Sequence, residues 1–156
     1  AQREKEAEII VRELKVEDSA AVAEMEQQIF SDPWSEKSVM ETVQQKQSVC
    51  FAAEKAGHIL GYLLVYHAAD EAEIARIAVQ KEARRQGAAG KLMQALEHYC
   101  EEHKMEKLLL DVRESNEAAR SFYTKNGFVE DGIRQGFYTN PSEDAVLMSR
   151  QLGADV

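Results

Sequence analysis

Two stretches of the sequence carry residue types that could do chemistry. The first is "ARRQGAAGKLM", residues 83 to 93, where two arginines and a glutamine run into glycine and alanine and then into a helical pattern. Residues without bulky side chains let a ligand come close to the backbone. The start of a helix adds unpaired N–H groups and the positive end of its dipole, so the stretch suits a phosphate-bearing ligand. Two familiar phosphate loops do not fit. A Walker A loop needs Ser or Thr after its Gly-Lys and a glycine at its start, where this chain has Leu92 and Arg85; a dinucleotide fingerprint needs a second glycine where Ala89 stands. The second stretch is "KLLLDV" (107 to 112), an apolar run interrupted by Asp111. A carboxylate there lies at an edge, finds a partner or works as a base, and burial would raise its pKa toward a value useful for proton transfer.

The elements that must position these residues can be read from periodicity. "EIIVREL" (8 to 14) reads as a strand, and "VEDSAAVAEMEQQIF" as a helix that starts near Asp18 or Ser19 and sets Val22, Met25 and Ile29 on one face. After the break at "SDPWS", Ser35 can cap a second helix with Glu36 in its first turn. "SVCFAAEKAGHILGYLLVYHAAD" is a hairpin in outline, with Gly57 at its turn. In "AEIARIAV" the strand alternation slips, because Ile74 and Ile77 are three apart while Ile77 and Val79 are two apart. One extra residue near Arg76, a bulge, would repair it.

From Gly87 the period becomes helical and gathers Leu92, Met93, Leu96, Tyr99 and Cys100. "KLLLDV" reads as a strand covered on both faces. "SNEAARSFYTKNGF" reads as a short helix capped by Ser115 or Asn116 and ended by Gly127, with Ala119, Phe122 and Tyr123 inward. "FVEDGIR" and "EDAVLMSRQL" close the chain as strands. The order β-α-α-β-β-β-α-β-α-β-β predicts an α/β domain, a mixed central sheet with helices on both faces. It spans residues 8–152, with a polar extension at 1–7 and a short tail at 153–156.

The chain of 156 residues is long enough for one domain that buries about two thirds of its unfolded surface. Cys50 and Cys100 lie far apart with no CxxC pattern, and His98 and His103 are off ligand spacing, so neither a disulfide nor a metal site is expected. A net charge of -9 argues against nucleic acid as a direct ligand and would suit a basic partner, such as a cationic peptide or an amine. No apolar run approaches the ~20 residues of a membrane span, and "AQREKEAE" is unlike a secretory signal. These features lead us to expect a soluble cytoplasmic protein with no membrane partner.

In order and spacing over essentially the whole chain, "DPWSEK", "RIAV", "RRQGAAGKLM", "LDVRESN" and "SFYTKNGF" together resemble the Gcn5-related N-acetyltransferase (GNAT) family. Within it they look most like the branch that acetylates the N-terminal alanine of a ribosomal protein. The resemblance implies the GNAT fold, with a bulged strand before the helix that binds coenzyme A, and acetyl-CoA as cosubstrate. The backbone of Arg85, Gln86, Gly87, Ala88, Ala89 and Gly90 would cradle the pyrophosphate. Ile77, Ala78 and Val79 would pair with the pantetheine arm, and Asn116 would contact the cofactor near its reactive end. Asp111 stands where the family carries a glutamate as general base; it is one methylene shorter, which implies a longer water bridge. Tyr123 matches the family's acid for the departing thiolate, although by pattern alone it is a core aromatic. Trp34 and Tyr138 fall in loops where the family contacts its acceptor peptide.

An N-terminal amine, with a pKa of about 7.7 to 8.0, needs less help from a base than a lysine amine near 10.4, and that favours a protein N-terminus as acceptor. A lysine side chain or a small polyamine stays open as acceptor, and so does a non-enzymatic module that binds acetyl-CoA without turnover.

Overall fold

The structure, a computed structural model, describes residues 8–153. The expected polar extension at 1–7 and residues 154–156 of the expected tail lie outside the described residues. The elements follow the expected order: β1 (Ile10–Glu13), α1 (Ser19–Ile29), α2 (Glu36–Gln44), β2 (Ser48–Lys55), β3 (His58–Ala68), β4 (Glu71–Val79), α3 (Ala88–Glu102), β5 (Lys107–Arg113), α4 (Glu117–Lys125), β6 (Val129–Tyr138) and β7 (Glu143–Gln151). They form one seven-stranded sheet in the order β1-β2-β3-β4-β5-β7-β6. Among the described residues its one parallel pair is β4–β5, and every other pair is antiparallel.

Alternation along β3 feeds two cores, one on each face. Leu63 and Val65 enter the first with Leu92, Met93 and Leu96 of α3. Tyr62 and Leu64 enter the second with Val22 and Met25 of α1 and Val39 of α2. Fully burying a side chain of this size contributes about 1.5–3 kcal/mol, so β3, central and covered on both faces, anchors the fold. The hairpin between β2 and β3 turns through Ala56 (φ 51) and Gly57 (φ 82), the paired positive angles that match the twist of two antiparallel strands. Cys50 and Cys100 are buried free thiols.

The helix boundaries come from side-chain chemistry. Ser35 Oγ accepts from the Ser38 N–H (3.1 Å) at the start of α2. Of the two candidate caps for α4, Asn116 is the one used, its Oδ1 accepting from the Ala119 N–H (3.1 Å). The Ser115 amide donates instead to Glu143 (2.6 Å). Gly127 at φ 89 ends α4.

One expectation is corrected. β5 is not covered equally on both faces: Leu108, Leu110 and Val112 are buried, while Leu109, Asp111 and Arg113 are only half-buried. The reason is the reach of α1 and α2, whose core takes residues from β2, β3 and β4 but none from β5. That face of β5 is therefore free to line a cleft. Among the described residues no helix is long and apolar enough to cross a membrane.

Candidate active site

The bulge expected near Arg76 is present. Leu64 of β3 lies opposite Arg76 and Val65 opposite Ile74, which makes Ala75 the extra residue. Just past this point the sheet splits. β4 and β5 pair from Glu71/Lys107 to Ile74/Leu110 and no further. β5 continues alongside β7 as far as Arg113 opposite Ala145, and β4 continues alongside β3 as far as Val79 opposite Gly61. Ile77, Ala78 and Val79 thus keep β3 on one side and leave the edge toward β5 unpaired. Gly61 permits the close β3–β4 approach here, since a Cβ on it would lie 2.7 Å from the Ala78 carbonyl oxygen. One acceptor is already used, for Arg84 Nε donates to the Val79 carbonyl at 3.3 Å.

At the far end of β4 the chain reaches the start of α3 through Arg85 (φ 70) and Gly87 (φ 86), two residues in the left-handed region. The Lys91 N–H donating to the Gly87 carbonyl (3.0 Å) is the first bond of the helix, so the amides of Ala88, Ala89 and Gly90 have no acceptor within it. Ala88 is buried and ties the loop to the first core. At Gly90 no atom beyond its chain neighbours and the adjoining helix backbone lies within 4 Å of where a Cβ would stand, so the packing around it does not require glycine. Free amides, a helix dipole and small side chains form a fit cradle for a phosphate group. Gln86 lies beside it, its Oε1 accepting from Lys55 Nζ at 3.5 Å.

Where β4 and β5 part is a cavity of about 150 Å³. Ile77, Asp111, Asn116, Tyr123 and Tyr138 all line it, although the last four come from β5, the cap of α4, α4 itself and β6. Phe30, Asp32 and Arg76 close its other side. Tyr123 is only 6% exposed. Its hydroxyl takes no protein hydrogen bond among the described residues, and burial, with Tyr138 nearby, pushes its phenol well above the ordinary range. It therefore holds its proton at neutral pH.

Burial also raises Asp111, and the charge of Arg134 partly opposes the shift. Glu73 lies opposite Leu109 on the same face of the sheet. Partial burial and then the Asp111 charge raise its carboxyl. Tyr138 is pushed up to about 12, first by burial and then by Asp111. Asn116 spends its Oδ1 on the helix cap, so its side-chain N–H₂ is what it can offer a ligand.

Trp34 does not line the cavity, although its ring centre lies 5.7 Å from Arg76 Cζ. It packs against the second core and lines a separate hollow with Thr42 and Tyr66, and its backbone N–H donates to Glu26 Oε1 (2.9 Å). Beside Phe30 and Asp32, two arginines of the site were not candidates on sequence. Arg113 holds the β6–β7 turn through the Thr139 carbonyl (2.9 Å), the Pro141 carbonyl (3.0 Å) and Glu143 Oε1 (3.2 Å), with its Cζ 4.5 Å from the Tyr138 ring centre. Arg76 is the other; a cation in the middle of "EIARIAV" was the available signal. Among the described residues, no group of three or more His, Cys, Asp or Glu could hold a metal ion.

A sheet that opens between β4 and β5, a bulge at the opening and a helix that starts soon after β4 define an acetyltransferase fold. Residues 19–128 match the model of the acetyltransferase (GNAT) family, and the chain belongs to that family. Its sequence is 32% identical over 141 residues to the ribosomal protein bS18-alanine N-acetyltransferase of Escherichia coli K12, covering 89% of this chain and 95% of that one. It is 34% identical over 139 residues, 88% of this chain and 92% of the other, to a Bacillus subtilis protein provisionally given the same name. The crystal structure of the E. coli ribosomal-protein-S18-alanine N-acetyltransferase superposes with a TM-score of 0.87 at 30% identity, over 96% of this chain and 99% of that one.

Proposed function

We propose that this chain, through a single domain over residues 8–152, transfers the acetyl group of acetyl-CoA to the α-amine of an N-terminal alanine, on a ribosomal protein of the bS18 kind in the cytoplasm. The observation that carries the reading is the meeting of Asp111 and Tyr123, from different elements, in one small cavity at the point where β4 and β5 separate. The names of the relatives that align over most of their length support the choice of acceptor.

The residues present fit acetyl-CoA. The free amides of Ala88, Ala89 and Gly90, with Arg85, Gln86 and Gly87 leading into them, would hold its pyrophosphate. The unpaired edge of Ile77, Ala78 and Val79 would take its pantetheine arm, and the side-chain N–H₂ of Asn116 would meet its reactive end. When bound, acetyl-CoA supplies a thioester carbonyl open to attack by an amine, with a thiol as leaving group. The chain's own residues then manage two protons. Asp111, its basicity raised by burial, takes one from the acceptor ammonium through water at its carboxylate oxygen. Tyr123 would give one from its hydroxyl to the departing sulfur, its high phenol pKa keeping that proton in place until then, and would regain one from the second proton that the nitrogen sheds on becoming an amide. Tyr138, on the other side of the cavity, would line the path of the acceptor, and Trp34 would act at a distance by shaping the loop before α2.

The experiment is mass spectrometry of acceptors competing for acetyl-CoA: a peptide with a free N-terminal alanine and an internal lysine, the same peptide with its N-terminus blocked, and spermidine. Acetylation confined to the free alanine amine is expected. Modification of the blocked peptide or of spermidine would overturn the acceptor, and binding of acetyl-CoA with no product from any amine would overturn the enzyme reading.

A further inference from the structure

Arg76 lines the cavity, yet the proposed reaction has no proton or charge for it to handle. Its placement is a consequence of the bulge. Without Ala75 as an extra residue, Arg76 would share the face of Ile74 and point into the first core; with it, Arg76 lies opposite Leu64 on the face of α1 and α2. On that face the guanidinium donates to Glu26 Oε1 through Nε (3.1 Å) and Nη2 (2.9 Å), and to the Asp32 carbonyl through Nη2 (2.7 Å). Its Cζ lies 3.8 Å from the centre of the Phe30 ring. Glu26 is 0% exposed and also accepts from the Tyr62 hydroxyl (2.6 Å) and the Trp34 N–H (2.9 Å). The loop from Phe30 to Trp34 is thereby tied to β3, β4 and α1. From the opposite side, Asn140 Nδ2 donates to the Ser31 carbonyl (3.1 Å), so the β6–β7 turn closes on the same loop.

Packing alone gives no reason for an arginine here. A buried ion pair replaced by well-packed apolar residues often leaves stability unchanged or higher. The arginine does define space: with Phe30 and Asp32 it walls a cavity of about 150 Å³, below the roughly 300–1,000 Å³ of sites that take drug-sized ligands. In the reading above, an acceptor amine that reaches Asp111 brings its first side chain to this arginine-held wall.

We propose that Arg76 is a positioning and specificity-determining residue, which fixes the loop at 30–34 and fills the acceptor side of the cavity so that only a small first side chain is accepted. This rests on the reading that the acceptor is an N-terminal α-amine.

Removing the arginine alone would strand the buried Glu26 carboxylate, so the test replaces both, Glu26→Gln with Arg76→Gln. Arg76→Lys is the second variant; it keeps the charge and loses the planar fork. Each is assayed on peptides identical except for a first residue of Ala, Ser, Met or Leu, with acetyl-CoA affinity measured in parallel by calorimetry. The expected result is a gain of about tenfold or more in kcat/KM for Met or Leu relative to Ala, the scale of a change of pocket size. It should arise through the acceptor KM, with acetyl-CoA affinity unchanged. An unaltered preference in variants that fold and bind acetyl-CoA would overturn the proposal. So would a parallel loss of acceptor and acetyl-CoA affinity, which is what general loosening produces. If the double variant does not fold, the same ratio in Arg76→Lys decides. Wild-type protein that acetylates no α-amine peptide would instead overturn the function proposed above, and this inference with it.

Discussion

The two walls of the cleft are built on different terms. The wall proposed for the cofactor is backbone: an unpaired strand edge at 77–79 and three helix-start amides at 88–90, with small side chains kept out of the way. The wall proposed for the acceptor is side chains: Arg76 on Glu26, Arg113 on Glu143 and the β6–β7 turn, Asn140 on the Ser31 carbonyl. A backbone wall constrains residue size and φ and tolerates many sequences, so it suits a ligand common to a whole family. A side-chain wall can be rebuilt by substituting single residues, so it suits a ligand that differs between members. Asp111 and Tyr123 lie where the walls meet. Variants of the three groups should therefore fail differently, in acetyl-CoA binding, in choice of acceptor and in rate.

The sharpest test of that division is Tyr123→Phe. Loss of a positioned acid costs about 100- to 10,000-fold in rate. The largest effect is expected here, read as kcat in initial-rate assays, while acetyl-CoA affinity by calorimetry stays at the wild-type value. The ring is retained, and the hydroxyl has no protein partner to lose. A kcat at the wild-type level would remove Tyr123 from the mechanism; a fall in affinity instead would move it from the junction to the cofactor wall.

Asp111→Asn should act less strongly and with a pH signature. An α-amine with a pKa of about 7.7 to 8.0 needs a base most below that range. The kcat/KM deficit is expected to be largest near pH 6.5 and to shrink toward pH 9, where the amine is already neutral. Stability should move the opposite way. Burial raises the folded-state pKa of Asp111 above its unfolded value, so ionised Asp111 costs stability, and that cost appears as pH rises through the raised pKa. The variant should melt higher than wild type at pH 7, and the gain should disappear in acid, where both states are protonated. A uniform small loss of rate at every pH, with no gain in Tm, would leave Asp111 an ordinary strand residue.

The same division explains what could be read from the sequence. The backbone wall was legible because its demands are local: the slip in spacing at Ile74, Ile77 and Val79 requires an extra residue, and glycine and alanine before a helical period leave the backbone open to a ligand. Ser35 and Gly127 were legible for the same reason. The side-chain wall was not, because its bonds join residues far apart in sequence, such as Asn140 with Ser31 and Arg76 with Glu26. Trp34 could equally have lain in the cleft or on α1 and α2. It packs on the second core because Glu26, inside α1, holds its backbone. The open face of β5 was hidden for a related reason. "KLLLDV" reads the same whether Leu109 meets a helix or a cleft, and the outcome depends on how far α1 and α2 extend across the sheet.

The smallest expected effect separates fold from function most cleanly. Gly90 has no positive φ, and no atom beyond its chain neighbours and the adjoining helix backbone lies within 4 Å of where its Cβ would be. Its replacement by alanine should therefore stabilise the first turn of α3 by about 0.5–1 kcal/mol, since glycine loses more freedom on folding than alanine. If the amides at 88–90 carry the pyrophosphate of acetyl-CoA, the added methyl stands beside the ligand and weakens its binding. Gly90→Ala should thus raise the denaturation midpoint and raise the Kd for coenzyme A together, a combination that damage to the protein's packing cannot produce. A raised midpoint with an unchanged Kd would mean that the phosphate lies nearer Arg85 and Gln86, before the helix rather than on its first turn. A lowered midpoint would mean that the glycine serves the fold after all, and the backbone wall would lose its distinction from the side-chain one.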